Sequence, residues 1–379
     1  MQEQKRAIVI VLDGCGAGEA PDSVFFGDIF HPSTVKHVWE KVQGFHAPHL
    51  AQCGFLKACG IESYPERGAY GRLRELSAGK DSVMGHWEMM GIVTTDPFPT
   101  FPKGFPEDLI TQLEHALGTH FLGNQAASGT EIINAFGVQH LKTGEPILYT
   151  SSDSVLQLAC HEELYPVDQQ YLMCQKIREI CGSTYPVERI IARPFLGSEK
   201  EGFYRTQHRK DFTIKAPFNL IDQIQDVFGI GVIPELFSGR GFREVPRTQR
   251  NSEHAEMLFH AMESDARFIF ANFEDFDMLY GHRNDPEGFA KCLEELDLIL
   301  GKLLSKLGPL DLLILTADHG NDPTTPGTDH TREYVPVCLL GQAILVRSLG
   351  DREGMSAVGA TVAEHLGLEW NVGVSLLGV

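Results

Sequence analysis

The stretch LDLLILTADHGND, residues 310–322, decides the fold. Its first eight residues form an apolar run of the kind that fills a strand buried on both faces, and it ends in an aspartate and a histidine side by side. AIVIVLDG at 7–14 repeats the pattern, with Asp13 and Gly14 directly after the run, and RFIFANF at 267–273 gives a third case, with Asp277 and His282 following it. PILYT (146–150), RIIA (189–192) and VPVCLL (335–340) are further strands of this type. Between them lie stretches of helical period at 168–181, 217–228, 252–264, 287–306 and 357–366. A helix within FPEDLITQLEHALG has Pro106 in its first turn, acidic residues at its positive end and Gly118 at its close. Buried strands alternating with helices predict an α/β fold with a mostly parallel sheet flanked by helices.

The punctuation is uneven. TTDPFPTFPKGFP holds four prolines between 97 and 106, and IKAPFN at 214–219 makes a second break. Residues 97–215 are therefore expected to form an inserted, smaller α/β cap domain, with 1–96 and 216–379 as one discontinuous core. At 379 residues the chain exceeds what a single core usually organises.

Charge narrows the function. Lys and Arg number 32 against 51 Asp and Glu, a net charge of −19, so neither nucleic acid nor an anionic membrane surface is a natural partner. No apolar run approaches the roughly 20 residues of a membrane span, and no signal-peptide pattern opens the sequence, which predicts a cytoplasmic protein. The eight cysteines include no CxxC pair and are read as reduced and structural.

Chemistry gathers at the strand ends, where open α/β sheets place their ligands. Asp13, Asp277 and Asp318 supply carboxylates there, and His282, His319 and His330 supply imidazoles. Each has a bland alternative: a turn residue for Asp13, a helix cap for Asp277 and Asp318, a surface position for His282. Taken together, mixed oxygen and nitrogen donors suit a pair of divalent ions such as Mn²⁺ or Zn²⁺, a device for in-line phosphoryl displacement. Ser82, in LSAGKDSVMGHWEMMG, is the candidate nucleophile, because a helix begins there and favours phosphate at its N-terminus; by local rules alone, capping that helix is the commoner job for such a serine. An anionic substrate needs local positive charge, and Arg193, Arg205, Arg209 and Lys210 offer it within eighteen positions, unless they form a solvated face. Ser151 and Asp153, in YTSSDS, stand at another strand end, where Asp153 is suited to accept from sugar hydroxyls.

GKDSVMGHWE (79–88), ASGTEII (127–133), YTSSDSVLQLACHEE (149–163), IARPF (191–195), DFDMLYGHRNDPEG (275–288), TADHGND and GTDHTREYVP (327–336) together resemble the prokaryotic phosphopentomutases, within the alkaline phosphatase superfamily. The resemblance runs in order over most of the chain and implies an alkaline-phosphatase-like core with an inserted cap. It implies an isomerase that interconverts α-D-ribose 1-phosphate, or the 2-deoxy sugar, and the 5-phosphate. The implied apparatus is two Mn²⁺ ions and a phosphorylated hydroxyl residue, primed by a sugar bisphosphate. By it, Asp13, Asp318 and His319 hold one ion, Asp277, His282 and His330 the other, and Ser82 bridges both. Ser151, Asp153, Arg193, Arg205 and Arg209 fall on the substrate-facing side of the cap. Departures are a serine where the family usually has threonine, Met84, Val232 in place of a lysine near the sugar phosphate, and an unfamiliar spelling over about 28–46. A metal-dependent phosphatase, or a mutase for another phosphorylated sugar, is the alternative on the same scaffold, and a silent sugar-phosphate sensor the third.

Overall fold

The computed structural model describes residues 4–151, 154–182 and 184–378; Asp153 lies outside the described residues. The chain forms two compact units, Met1–Pro97 with Ala216–Val379, and Phe98–Lys215.

The first unit is built on a seven-stranded sheet. Its strand order is Phe228–Ile230, Phe268–Phe273, Arg6–Leu12, Asp311–Thr316, Val335–Leu340, Ala69–Arg74, Arg347–Glu353. Only Val335–Leu340 runs against its neighbours. The middle strands are buried at nearly every position because helices cover them: Asn251–Glu263 packs on Phe268–Phe273, and Ala357–Leu366 on Arg6–Leu12. The flanking strands differ. Ala69–Arg74 alternates buried and half-buried positions, and Arg347–Glu353 at the sheet edge is largely exposed.

One expected helix is corrected. The stretch 217–228 is helical only over Leu220–Ile224, opened by a capping box between Asn219 and Asp222. It stops because Gln225 and Asp226 both take left-handed backbone angles, with φ of 56° and 52°, and Phe228–Ile230 then joins the sheet as a strand. The helix that begins after Pro106 keeps its expected place, Glu107–Leu117, with the proline as N-cap and Gly118 in the left-handed conformation.

The second unit carries a five-stranded mixed sheet in the order Leu122–Ala126, Ile147–Thr150, Val155–Ala159, Arg189–Ala192, Lys210–Thr213. Strand alternation sends Leu148, Leu156 and Ile190 to a core shared with helices Glu107–Leu117 and Val167–Cys181. Ile147 and Tyr149 face the other way, onto helix Gly129–Thr143 and Phe195. All eight cysteines are buried and unpaired, and among the described residues no helix is long and apolar enough to cross a membrane.

Parallel register sets the site. Leu12 lies opposite Phe273 and Val11 opposite Thr316, so the segments after three strands leave the sheet along one edge. Helix Ser82–Met89 reaches that edge at Gly85, where an added Cβ would stand 2.3 Å from the carbonyl oxygen of Asp318. Backbone cannot yield as a side chain does, so Gly85→Ala is expected to push the helix away and to cost about 1–3 kcal/mol of stability. Urea denaturation of the wild type and the variant measures the loss.

Candidate metal centre and nucleophile

Asp13 enters the sheet edge directly from its strand. Gly14 takes φ of 74°, turning the chain so that its N–H donates to Asp318 Oδ1 at 3.1 Å while its carbonyl accepts from Asn321 N at 2.9 Å. Two strand ends are thereby stapled together. Ligand atoms of Asp13, Asp318 and His319 lie within 4.8 Å of one another, and those of Asp277, His319 and His330 do the same. His282 completes the second group, its Nε2 standing 3.0 Å from Asp277 Oδ2 and 3.2 Å from His330 Nε2. The six expected ligands thus meet in one place, with His319 common to both groups.

The imidazoles are oriented alike. Nδ1 of His282 donates to the carbonyl of Thr328 at 2.6 Å, Nδ1 of His319 to that of Gly320 at 3.1 Å, and Nδ1 of His330 to that of Lys80 at 3.0 Å. A ring whose Nδ1–H is committed to a carbonyl offers its Nε2 lone pair to a metal. Two asparagines act on the carboxylates: Asn272 Nδ2 donates to Asp13 Oδ2 and Asn321 Nδ2 to Asp277 Oδ1, each at 2.6 Å. Sequence reasoning passed over both, although Asn272 is the one polar residue of the buried strand FIFANF.

Electrostatics point to a cation. Burial raises the Asp13 carboxyl well above the usual range, and repulsion from Asp318 and Asp277 adds to it. Burial also opposes ionisation of Asp277 and Asp318, yet His330 and His282 hold the first well down and His319 holds down the second. Against burial, Asp318, Asp13 and Asp277 in turn keep the His319 proton well above the ordinary imidazole value. Asp13 Oδ1 and Asp318 Oδ2 are buried without a hydrogen-bond partner, 3.4 and 3.2 Å from His319 Nε2. Carboxylate oxygens left so are costly unless a cation sits against them, and this mixed donor set fits divalent transition ions.

Ser82 occupies the first turn of its helix, and the N-cap is Asp81, whose carboxylate accepts from Met84 N at 2.9 Å. Freed from capping, the Ser82 hydroxyl lies 3.1 Å from His319 Nε2. His86, wholly buried, donates from Nδ1 to the Ser82 carbonyl at 2.7 Å, and burial lowers its pKa, so it braces the helix as a neutral ring.

In the second unit, Arg193 and Arg205 gather at Tyr149, and the charge of Arg209 acts on the tyrosine hydroxyl. Gln157 Oε1 accepts from Arg193 Nε at 3.0 Å and from the Tyr149 hydroxyl at 3.1 Å; Arg205 reaches that hydroxyl at 3.5 Å, and Arg209 forks onto Asp211 at 2.8 and 2.6 Å. Burial, then repulsion from Arg209 and Arg205, pulls Arg193 down to about 10. A strained group of like charges suits an anion. Lys210 instead covers the rings of Tyr171 and Phe212, and Ser151 is half-buried at the end of the Ile147–Thr150 strand. Gln157, the polar member of the buried strand VLQLA, is a further residue that sequence reasoning missed.

Residues 5–370 match the family described as "Metalloenzyme superfamily", which sets the class: a metal-dependent enzyme on an α/β scaffold. A solved protein from Pyrococcus horikoshii shares the fold, with a TM-score of 0.50 and 13% identity over 99% of this chain and 100% of that one. The phosphopentomutase of Symbiobacterium thermophilum is 43% identical over 97% of this chain and 96% of its own length. That of Caldanaerobacter subterraneus subsp. tengcongensis is 45% identical, covering 95% and 94%. The chain belongs to the phosphopentomutase family, isomerases that act as intramolecular phosphotransferases.

Metal content should follow the cluster. Elemental analysis of the purified wild type is expected to find divalent metal that His319→Ala and His330→Ala both lose in large part. Because nearby carboxylates raise His319 and His282 above the ordinary value in the metal-free protein, loading must displace their protons. Affinity should therefore begin to fall at a pH above the usual imidazole value of about 6.5 and weaken further below it. Calorimetry in buffers of different ionisation enthalpy detects the released protons.

Proposed function

We propose that this isomerase interconverts α-D-ribose 1-phosphate, or 2-deoxyribose 1-phosphate, and the corresponding 5-phosphate by way of a phosphorylated Ser82 and two divalent ions, taken as Mn²⁺ because the family resemblance implies it. The observation that carries the reading is the Ser82 hydroxyl, at a helix N-terminus and 3.1 Å from His319 Nε2, beside three buried carboxylates. Asp13, Asp318 and His319 would hold one ion, and Asp277, His282 and His330 the other. When bound, the ions supply charge neutralisation at the phosphoryl group and a lowered pKa for the attacking hydroxyl.

The protein's own groups do the rest. Asp81 and His86 fix the backbone of the first turn, which sets the position from which the Ser82 hydroxyl reaches His319. The positive end of the helix favours the dianionic group that Ser82 carries between half-reactions. In each cycle the phosphoryl group leaves Ser82 for a sugar hydroxyl, forming a sugar bisphosphate, and the proton that the hydroxyl gives up goes to the departing serine oxygen. The phosphoryl group at the other end of the sugar bisphosphate then passes to Ser82, and the serine proton goes to the departing sugar oxygen; return of the first group would only regenerate the starting ester. A sugar bisphosphate also primes the unphosphorylated protein. Isomerisation requires that the sugar present each end in turn, so the phosphate not being transferred needs its own anion site. Arg193, Arg205 and Arg209 are the cations suited to it, with Ser151 and Asp153 assigned to the sugar. The partners are small sugar phosphates, without nucleic acid or membrane, and the proposed setting is the cytoplasm.

Intact-mass spectrometry with peptide mapping is expected to find phosphate on Ser82 after exposure to a sugar bisphosphate. Ser82→Ala should abolish isomerisation while keeping the metal, and Ser82→Thr should stay active; interconversion at the wild-type rate by Ser82→Ala would overturn the mechanism. Arg193→Ala and Arg205→Ala should raise KM for sugar phosphates about tenfold or more, since a charged hydrogen bond is worth roughly 1.5–3 kcal/mol, and should spare hydrolysis of a small aryl phosphate. Equal losses on both substrates would instead indicate a structural role.

A further inference from the structure

Ser82 is delivered to the centre by an irregular loop, residues 75–81, between the strand Ala69–Arg74 and the helix Ser82–Met89. Two buried side chains hold that loop. Glu88, on the serine's own helix, accepts from the N–H groups of Leu76 and Ser77, and from that of Met355 at 2.8 Å. Arg332, only 2% exposed, faces the loop's carbonyls: its guanidinium donates to the oxygens of Glu75 at 2.7 Å, Ser77 at 2.9 Å and Gly79. Its charge is met by Glu75 Oε2 at 2.7 Å and by Asp22, and its face lies 4.5 Å over the Phe26 ring.

Carbonyls of alternate residues, 75, 77 and 79, converge on one guanidinium, so the loop is curled around a rigid planar fork. A lysine, with three donors on a flexible stem, cannot reproduce that pattern. The same segment of chain carries His330, whose Nδ1 donates to the carbonyl of Lys80, the loop residue two places before Ser82. The backbone N–H of Arg332 donates to Asp28 Oδ2 at 2.7 Å, and Asp28 Oδ1 pairs with Lys80 Nζ at 3.1 Å. Residues 330–332 therefore grip the loop at both its carbonyls and its lysine while presenting an imidazole to the centre.

We propose that Arg332 is a positioning residue for phosphoryl transfer: by setting the curvature of loop 75–81 it fixes the reach of the Ser82 hydroxyl towards His319. This rests on Ser82 being the nucleophile. Arg332→Lys keeps the charge that balances Glu75 and Asp22, so folding should survive while the fork is lost. In the full-length, metal-loaded protein, kcat and the rate of Ser82 phosphorylation by a sugar bisphosphate should both fall about 100-fold, the scale of an ångström's misplacement. KM should stay within about twofold and metal content unchanged. Asp22→Asn, at a side chain one-quarter exposed, loosens only one anchor and should lower kcat about threefold to tenfold with the same split. A folded Arg332→Lys protein with wild-type kcat, or one whose loss of turnover tracks a loss of metal, overturns the proposal. If Arg332→Lys does not fold, wild-type kcat in Asp22→Asn overturns it alone. Absence of phosphate on Ser82 in the wild type would refute the nucleophile itself, a separate result from either variant's kcat.

Discussion

Three carboxylates, Asp13, Asp277 and Asp318, are buried side by side, and most of the first unit can be understood as what makes that arrangement tolerable. Uncompensated, buried charges of one sign cost several kcal/mol each. Parallel strands bring them together, since each strand end leaves the sheet on the same edge. Asparagines 272 and 321 then bond one oxygen of two of them, the Gly14 N–H bonds a third carboxylate, and three imidazoles enclose the group. What these leave over, the bare oxygens of Asp13 and Asp318, is the part a divalent ion satisfies. Stability and chemistry are therefore not separate demands here: the residues that relieve the repulsion are those that orient the ligands.

Backbone carbonyls do much of the orienting. The carbonyls of Thr328, Gly320 and Lys80 each accept from an Nδ1–H, so ring direction is set from the main chain. Such a layer is stiff because the loops that carry these carbonyls are themselves held, by Asn284 at Thr325 and Gly327, by the bridge of Gly320 to Thr331, and by Arg332 at Ser77 and Gly79. It also ties the serine's loop to the histidine cluster, so nucleophile and ligands share a frame.

Legibility in the sequence followed burial. Strands buried on both faces announce themselves as apolar runs, which is why 7–12, 267–273, 310–317 and 335–340 were readable, and the residues just past them drew attention as donors. Arg347–Glu353 was invisible because an exposed edge strand has no apolar pattern, and 217–228 misled because helical period persists across Gln225 and Asp226, whose left-handed angles no periodicity records. Asp81 and Ser82 are equally good caps by type, and only the fold decides that Asp81 takes the role. Nothing in DHTREYVP marks Arg332 as buried; the carboxylates of Glu75 and Asp22 that meet its charge lie more than 250 positions away in the sequence. Gln157 and Asn272 carried a usable signal, a lone polar residue in a buried strand, but polarity alone does not say what it holds.

The buried thiols have a practical consequence. Burial raises all eight above the ordinary value, Cys53 to about 12 and Cys181 to about 11, so in the folded protein none is appreciably a thiolate at neutral pH. An alkylating reagent then modifies only molecules that have opened. Cys160, Cys174 and Cys181 lie in the second unit and the other five in the first. The chain thus carries its own set of opening clocks: the order in which peptides become labelled reports which unit loosens first, with no probe introduced.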